Sequence, residues 1–183
     1  NYITTVGNQS NFVSLNDEKV QPDGPTSEND LRFLKTHIKY KVSELFFSDA
    51  IIFVEGITEE NLLRYYIDKH VDLNKYYISI FNINGAHGLV YHNLIKLLKV
   101  PTLIITDLDI KRNDGEKEKF TQFDNLTGRF TTNNTIKKYH VEKDNLERLP
   151  EYILERNMRI AYQGKISGYY ATSFQEVSPN YLF

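Results

Sequence analysis

Three acidic side chains stand where two apolar runs of the sequence end. Glu55 follows the run AIIFV, and Asp107 and Asp109 follow the run TLIIT. At about 4 Å and an effective dielectric near 20, each like-charged pair costs roughly 4 kcal/mol, which a divalent cation would offset. Carboxylate oxygens are the hard ligands that suit Mg²⁺ and Mn²⁺. The spacing of these acids therefore predicts a site for one of those ions.

The two apolar runs must be the elements that position the acids. Runs of β-branched and aromatic residues without polar alternation are typical of parallel strands buried on both faces. In open α/β sheets, ligands bind at the carboxyl ends of such strands. We therefore expect the three acids to meet at one sheet edge.

Helical and extended patterns surround these two strands. Helices are predicted from Leu31 to Phe46 after a cap at Thr26 or Ser27, after a cap at Thr58, over Val90–Val100 and over Asp144–Arg156. Further strands are predicted over Tyr76–Phe81 and in MRIAYQG from Met158, and the opening YITTVGNQSNFVSL is interpreted as an edge strand followed by a loop. The alternation predicts a three-layer α/β fold, in which a mainly parallel sheet of about four strands is flanked by helices.

The acids also have purely structural interpretations. Glu59 and Glu60 stand at a helix start, where the helix dipole favours an acid by about 0.3–1 kcal/mol. Asp107 and Asp109 are residues that also cap helices or form Asx turns, although no helical pattern follows them directly. Gly56 is explained by a turn that must pass close to the site.

Glu-Gly after one strand and Asp-x-Asp after another resemble the TOPRIM domain of topoisomerases, primases and related nucleases. The stretch VEGITEENLLRYY is similar to the version found in the OLD (overcoming lysogenization defect) family, in which a second glutamate, here Glu59, follows the first by four residues. The resemblance runs from about Leu31 to Glu176. It implies a Rossmann-like TOPRIM fold.

The resemblance also implies a metal-dependent DNA endonuclease that acts in phage defence or DNA processing with two Mg²⁺ or Mn²⁺ ions. Glu59, Asp107 and Asp109 would be ligands, and Glu55 a ligand or general acid/base. Glu176 matches one acid of the family's Ser-x-Glu-Glu stretch, whereas Gln175 replaces the other. Apart from the resemblance, Lys165 lies near the site if the fourth strand is placed as predicted, and it would then stabilise charge in the transition state.

A polar segment of turn-forming residues follows Asp109. Long segments of this kind are usually functional or mobile, and this one carries Lys111, Arg112 and Arg129, which we expect to meet substrate phosphates. A solvated loop remains the alternative for each of them. The loop residue His87 is given no catalytic role.

Composition limits the possible functions. The chain has 183 residues, a net charge of −2 and no cysteine, which excludes disulfides, thiol catalysis and Cys-ligated metals. With no global positive charge, contact with nucleic acid must come from local patches, bound metal or another chain. No transmembrane run or signal peptide is evident, so we expect a cytoplasmic protein without membrane partners. No phosphate-binding loop motif is present, so nucleotide hydrolysis by this chain alone is not predicted.

Two domains are predicted. Residues 1–25 form an arm or linker, with the end of a preceding ATPase domain as the alternative interpretation, and residues 26–183 form the TOPRIM nuclease domain. The expected partners are DNA, an ABC-type ATPase domain in the same or a partner chain, and a second copy of the chain. Three alternatives stay open: an RNA-directed nuclease, a primase-like nucleotidyl transferase, and a non-catalytic assembly or regulatory domain.

Overall fold

The computed structural model describes residues 2–6, 8–24, 27–40, 43–83, 88–116 and 125–162. Its strands and α-helices, in chain order, are β1 (Tyr2–Val6), β2 (Gln9–Val13), α1 (Ser27–Tyr40), β3 (Ala50–Val54), α2 (Ile57–Lys69), β4 (Ile78–Asn82), α3 (His92–Leu98), β5 (Thr102–Thr106), α4 (Asn134–Tyr139), β6 (Tyr152–Glu155) and β7 (Met158–Tyr162). None of the helices in these ranges combines the length and apolar character needed to cross a membrane.

The main sheet has five strands in the order β4-β3-β5-β7-β6. The central strand β3 runs parallel to both neighbours, with Ala50 opposite Ile78 of β4 and Ile51 opposite Thr102 of β5. Residues Ile51–Val54 are all buried, as expected of a parallel strand covered on both faces. The predicted α/β class is confirmed, with one strand more than the sequence suggested.

The opening of the chain forms a hairpin separate from this sheet. Strands β1 and β2 pair antiparallel, with Tyr2 opposite Val13 and Val6 opposite Gln9. The sequence indicated one edge strand followed by a loop in this stretch, whereas the structure has two strands.

The helix predicted over Asp144–Arg156 is wrong. The chain makes turns up to Pro150 and then enters strand β6. Along β6 only Ile153 is buried between exposed neighbours, which is the two-residue period of a strand. Leu146 is fully buried, but it reaches the core from a turn. Pro150 also lacks the N–H that a helix interior needs.

Several boundaries differ from the predictions by a few residues. Helix α2 begins at Ile57 with Gly56 as its N-cap, so Thr58 lies inside the helix. Strand β4 begins two residues later than predicted, at Ile78. The helix expected over Val90–Val100 is a 3-10 turn followed by the shorter α3. Helix α4, within the polar segment, was not predicted.

The chain divides into two compact units. The first holds the described residues up to Ile105 together with Leu154–Arg159, and the second those of Thr106–Ile153 with those from Ile160 onward. In the first unit, a core cluster forms around Ile52, Val54 and Ile80, packed against Leu63 and Ile67 of α2 and against Ile78, Leu103 and Ile105. In the second, a cluster forms around Leu108, Ile136 and Leu146.

Candidate active site

The first acidic loop is the turn from β3 into α2. Glu55 directly follows β3 and is half-buried, whereas Glu59 lies exposed in the first turn of α2. Gly56 is extended (φ −127°, ψ 159°) and offers no side-chain cap. A Cβ at residue 56 would lie 2.3 Å from Glu59 Oε2, so the Glu59 carboxylate folds back over Gly56. The carboxylate thus lies at the helix start, where the helix dipole favours an anion.

The neighbouring acid Glu60 has a different role. Its Oε1 accepts hydrogen bonds from Arg64 Nη2 at 3.0 Å and Nε at 3.2 Å, one helical turn away. Arg64 Nη2 also donates to the carbonyl oxygen of Ile80 at 3.0 Å. Glu60 is therefore in a salt bridge with Arg64, which in turn links α2 to β4. The carboxylate of Glu59 instead lies close to Gly56.

The second acidic loop directly follows β5. Asp107 and Asp109 are exposed and flank Leu108, which is buried against Ile136 and Leu146. The side chain of Leu108 therefore anchors the loop in the core, while Asp107 and Asp109 on either side of it are exposed to solvent. Asp109 has φ +44°, in the left-handed region that few non-glycine residues adopt. Such a conformation persists only where its surroundings fix it.

Three consecutive residues provide those surroundings. Thr131 Oγ1 donates to the Leu108 carbonyl oxygen at 2.5 Å, and the Thr132 backbone N–H donates to the Asp109 carbonyl oxygen at 2.9 Å. Asn133 Nδ2 donates to the Asp107 carbonyl oxygen at 2.9 Å and to Asp109 Oδ2 at 3.2 Å. Residues 131–133, here called the Asn133 clamp, thus bond every residue of the Asp-x-Asp loop.

Sequence reasoning missed the Asn133 clamp because it lies in the polar segment interpreted as a loop. One signal was available. Asparagine is a favoured N-cap, and here Asn133 Oδ1 accepts from the backbone N–H groups of Thr135 at 2.9 Å and Ile136 at 3.1 Å. A short helix beginning after Asn133 was therefore recoverable, but the contact with residues more than twenty positions earlier was not.

No helix begins at Asp107 or Asp109. The chain instead continues to an isolated antiparallel bridge between Ile110 and Thr131. The interpretation of the two acids as the start of a helix is therefore wrong. The sequence had indicated this, because no helical pattern follows them.

The predicted substrate-binding residues have different surroundings. Lys111 is exposed, and its backbone N–H donates to the Phe130 carbonyl oxygen at 2.7 Å. Arg112 is half-buried. Arg129 Nη1 donates to both carboxylate oxygens of Glu116, at 2.8 and 2.9 Å. Of these cations, Lys111 is the most open to a ligand.

Glu116 is held in its charged form. The backbone N–H of Asn113, which donates at 2.9 Å, and the guanidinium of Arg129 lower the pKa of the Glu116 carboxyl. The charge of Arg129 is thus balanced by an acid of its own unit.

Four residues named from the sequence, His87, Lys165, Gln175 and Glu176, lie outside the described residues. Within the described part of the chain, no three His, Asp or Glu side chains form a ready-made metal cluster. The exposed carboxylates are nevertheless ligands that suit a hard divalent cation, and they belong to Glu59 in the first loop and to Asp107 and Asp109 in the second.

Comparison with known proteins identifies the region around the two loops. Residues 46–109 match the family model of the TOPRIM domain of overcoming lysogenization defect protein-like proteins. The chain is 62% identical over 181 residues to endonuclease GajA of Bacillus cereus (strain HuB5-5), a match that covers 96% of this chain and 26% of that protein. No solved structure matches the chain. The family resemblance predicted from Glu-Gly and Asp-x-Asp is thereby confirmed.

Proposed function

We propose that this chain, with its OLD-like TOPRIM domain at residues 46–109, is the nuclease module of a larger protein and hydrolyses DNA phosphodiester bonds in the cytoplasm. The similarity to a protein named as an endonuclease supports this reaction class. Because the chain spans about a quarter of that relative's length, the activity of the whole protein is part of the proposal. A role in phage defence or DNA processing follows from the same resemblance.

The observation that carries the proposal is the Asp-x-Asp loop. Its two carboxylates are exposed while its backbone is bonded at each residue by the Asn133 clamp. A rigid loop that presents hard oxygen ligands to solvent suits a divalent cation. The parallel pairing of β3 with β5 is also consistent with the ligand edge of an α/β sheet, because Glu55 follows one strand and Asp107 the other.

TOPRIM nuclease domains use divalent metals, and here we propose two ions of Mg²⁺ or Mn²⁺. Asp107, Asp109 and Glu59 would hold them, joined by Glu176. When bound, such ions activate a water molecule and stabilise the leaving oxygen. Glu55, half-buried at the end of β3, is the remaining acid and would act as a ligand or as the general acid/base.

The basic residues would bind the phosphate backbone. Lys111 lies two residues beyond Asp109 and is exposed, so it can neutralise a phosphate beside the acidic loop. Arg112 and Arg129 would add to this patch. The contribution of Arg129 would be smaller, because its charge is already paired with Glu116. Lys165 would stabilise charge in the transition state. We further propose an ABC-type ATPase domain as partner, and assembly with a second copy.

Substrate trials with the full-length protein test the function. We expect Mg²⁺ or Mn²⁺ to support cleavage of plasmid DNA, and a chelator to stop it. Cleavage of RNA but not DNA would favour the RNA-directed alternative, and incorporation of nucleotides would favour the primase-like one. No reaction on any substrate, together with no metal binding, would indicate an assembly domain.

A further inference from the structure

We infer that Asn133 is a positioning residue for the metal ligands Asp107 and Asp109. The inference rests on the proposed function, because it assigns a role toward the cations that those acids would hold. It goes further in naming a residue that carries no charge and would not itself contact the metal.

The geometry of the Asn133 side chain supports this role. The residue is 6% exposed, and its Nδ2 lies 2.7 Å from Thr106 Oγ1, 2.9 Å from the Asp107 carbonyl oxygen and 3.2 Å from Asp109 Oδ2. At its other end, Oδ1 accepts two backbone N–H groups of α4. Because backbone N–H groups only donate, they identify the oxygen of the amide. The donor end of Asn133 must therefore face the Asp-x-Asp loop.

A neutral donor suits a carboxylate that is to bind metal. The contact from Asn133 uses Oδ2 of Asp109 and orients the group, without bringing a positive charge that would compete with a cation. A lysine or arginine in the same place would pair with the carboxylate and repel the metal. The amide also helps to hold Asp109 in its left-handed backbone conformation.

Thr131 keeps Asn133 in place. Its Oγ1 accepts the Asn133 backbone N–H at 2.9 Å and donates to the Leu108 carbonyl oxygen. Thr131 is 3% exposed, so this hydroxyl has no competition from bulk water. The start of α4 and the acidic loop are thus joined by both the backbone and the side chain of Asn133.

The alternative is a purely structural role, in which Asn133 only caps α4. Serine separates the two roles, because its hydroxyl caps a helix well but is too short to replace the amide donor at the loop. Asn133→Ser should therefore keep the cap and lose the positioning, whereas Asn133→Ala loses both. Asn145→Ser is the matched control, since Asn145 Oδ1 accepts the Glu147 backbone N–H at 3.0 Å in the same unit.

The experiment measures Mn²⁺ binding by calorimetry, the melting temperature without metal, and DNA cleavage by the full-length protein against Mn²⁺ concentration. We expect Asn133→Ser to bind Mn²⁺ about 10-fold or more weakly, as for other residues that orient metal ligands. Its cleavage should recover at high Mn²⁺, and its metal-free melting temperature should fall less than that of Asn133→Ala, because the cap of α4 is kept. Asn145→Ser should keep the wild-type Mn²⁺ affinity. Asn133→Thr, which also keeps a capping hydroxyl, serves if the serine variant does not fold.

Wild-type Mn²⁺ affinity in Asn133→Ser, with a loss of melting temperature only in Asn133→Ala, would make Asn133 a helix cap and overturn the inference. The proposed function fails in a different way. If the wild-type protein binds Mn²⁺ but cleaves no nucleic acid, the nuclease is refuted while the affinities still decide the role of Asn133. If the wild-type protein binds no Mn²⁺, both are refuted.

Discussion

The two acidic loops are held in different ways. In the turn after β3, Glu59 depends on the start of α2 and on the space left by Gly56, and its carboxylate is exposed. In the loop after β5, Asp109 is bonded through its carbonyl oxygen and its Oδ2 by the Asn133 clamp. The first loop can therefore adjust to a ligand by rotating one side chain, whereas the second is fixed before a ligand arrives.

For the proposed metal ligands, this difference predicts different contributions. A fixed ligand would lower the cost of ordering when a cation binds, and an adjustable ligand would complete the coordination. The two loops should therefore respond differently to substitution. Three predictions test this and a fourth concerns Glu116, ordered from the largest expected effect to the smallest.

Asp107→Ala should abolish metal-dependent cleavage. Its carboxylate belongs to the fixed loop, and no adjustable side chain of that loop can replace it. Because the change removes one of two nearby like charges, the melting temperature without metal should hold or rise. Cleavage and thermal melting of the purified variant measure both effects. Asp144→Ala, at an exposed acid of the same unit, is the control, and full activity in Asp107→Ala would remove this residue from the mechanism.

Glu59→Gln should slow cleavage by orders of magnitude, with partial recovery as Mn²⁺ is raised, because an adjustable ligand is lost. Glu60→Gln carries the same charge change but breaks only the salt bridge to Arg64, which contributes about 0.3–0.5 kcal/mol. Its cleavage rate should remain that of the wild type. Equal rates in the two variants would make Glu59 a helix-start acid and withdraw its assignment as a ligand.

Gly56→Ala should lower cleavage about tenfold, within the range seen when a group that orients a ligand is changed. The added methyl group would take the space of the Glu59 carboxylate, which must rotate away. In a protein that already carries Glu59→Gln, adding Gly56→Ala should lower the cleavage rate little further. A double-mutant cycle on the cleavage rates therefore measures the coupling between residues 56 and 59. Gly115→Ala is the control, since a Cβ there meets nothing within 4 Å. Additive effects of the two changes would show that Gly56 does not act through Glu59.

The smallest effect concerns pH and stability. The pKa of Glu116 is lowered in the folded protein by the Asn113 N–H and by Arg129, so its ionised form favours folding. This contribution is present above the unfolded pKa of about 4.3 and is lost as pH falls through the lower folded value. Urea midpoints of Glu116→Gln should therefore fall less on acidification than those of the wild type. Parallel curves would show that Glu116 has no such role.

The fold and the acids were largely predictable from the sequence, because both depend on local patterns. The run from Ala50 to Val54 is apolar throughout, and a strand so composed must be buried on both faces. The helix predicted over Asp144–Arg156 failed because Leu146 and Ile153 recur at a helical spacing, yet reach their buried positions from a turn and a strand.

The Asn133 clamp could not be predicted because it depends on contacts distant in sequence. Asn133 bonds residues 24 to 27 positions earlier, and nothing in the pattern around it indicates which loop it will meet. The salt bridge of Arg129 also joins residues that are distant in sequence. Glu116 lies 13 residues away, so the sequence did not indicate that Arg129, predicted to meet a phosphate, also forms a salt bridge.

The most direct test of the metal-dependent account is a calorimetric titration of Mg²⁺, Mn²⁺ and Ca²⁺ into the protein and into Asp109→Asn, followed by cleavage assays with each ion. We expect all three ions to bind the wild type, Asp109→Asn to bind each more weakly, and Ca²⁺ to support little or no cleavage because it does not impose octahedral geometry. Absence of Mg²⁺ and Mn²⁺ binding at millimolar concentration would contradict the account. Cleavage with Ca²⁺ as fast as with Mg²⁺ would contradict its two-metal form.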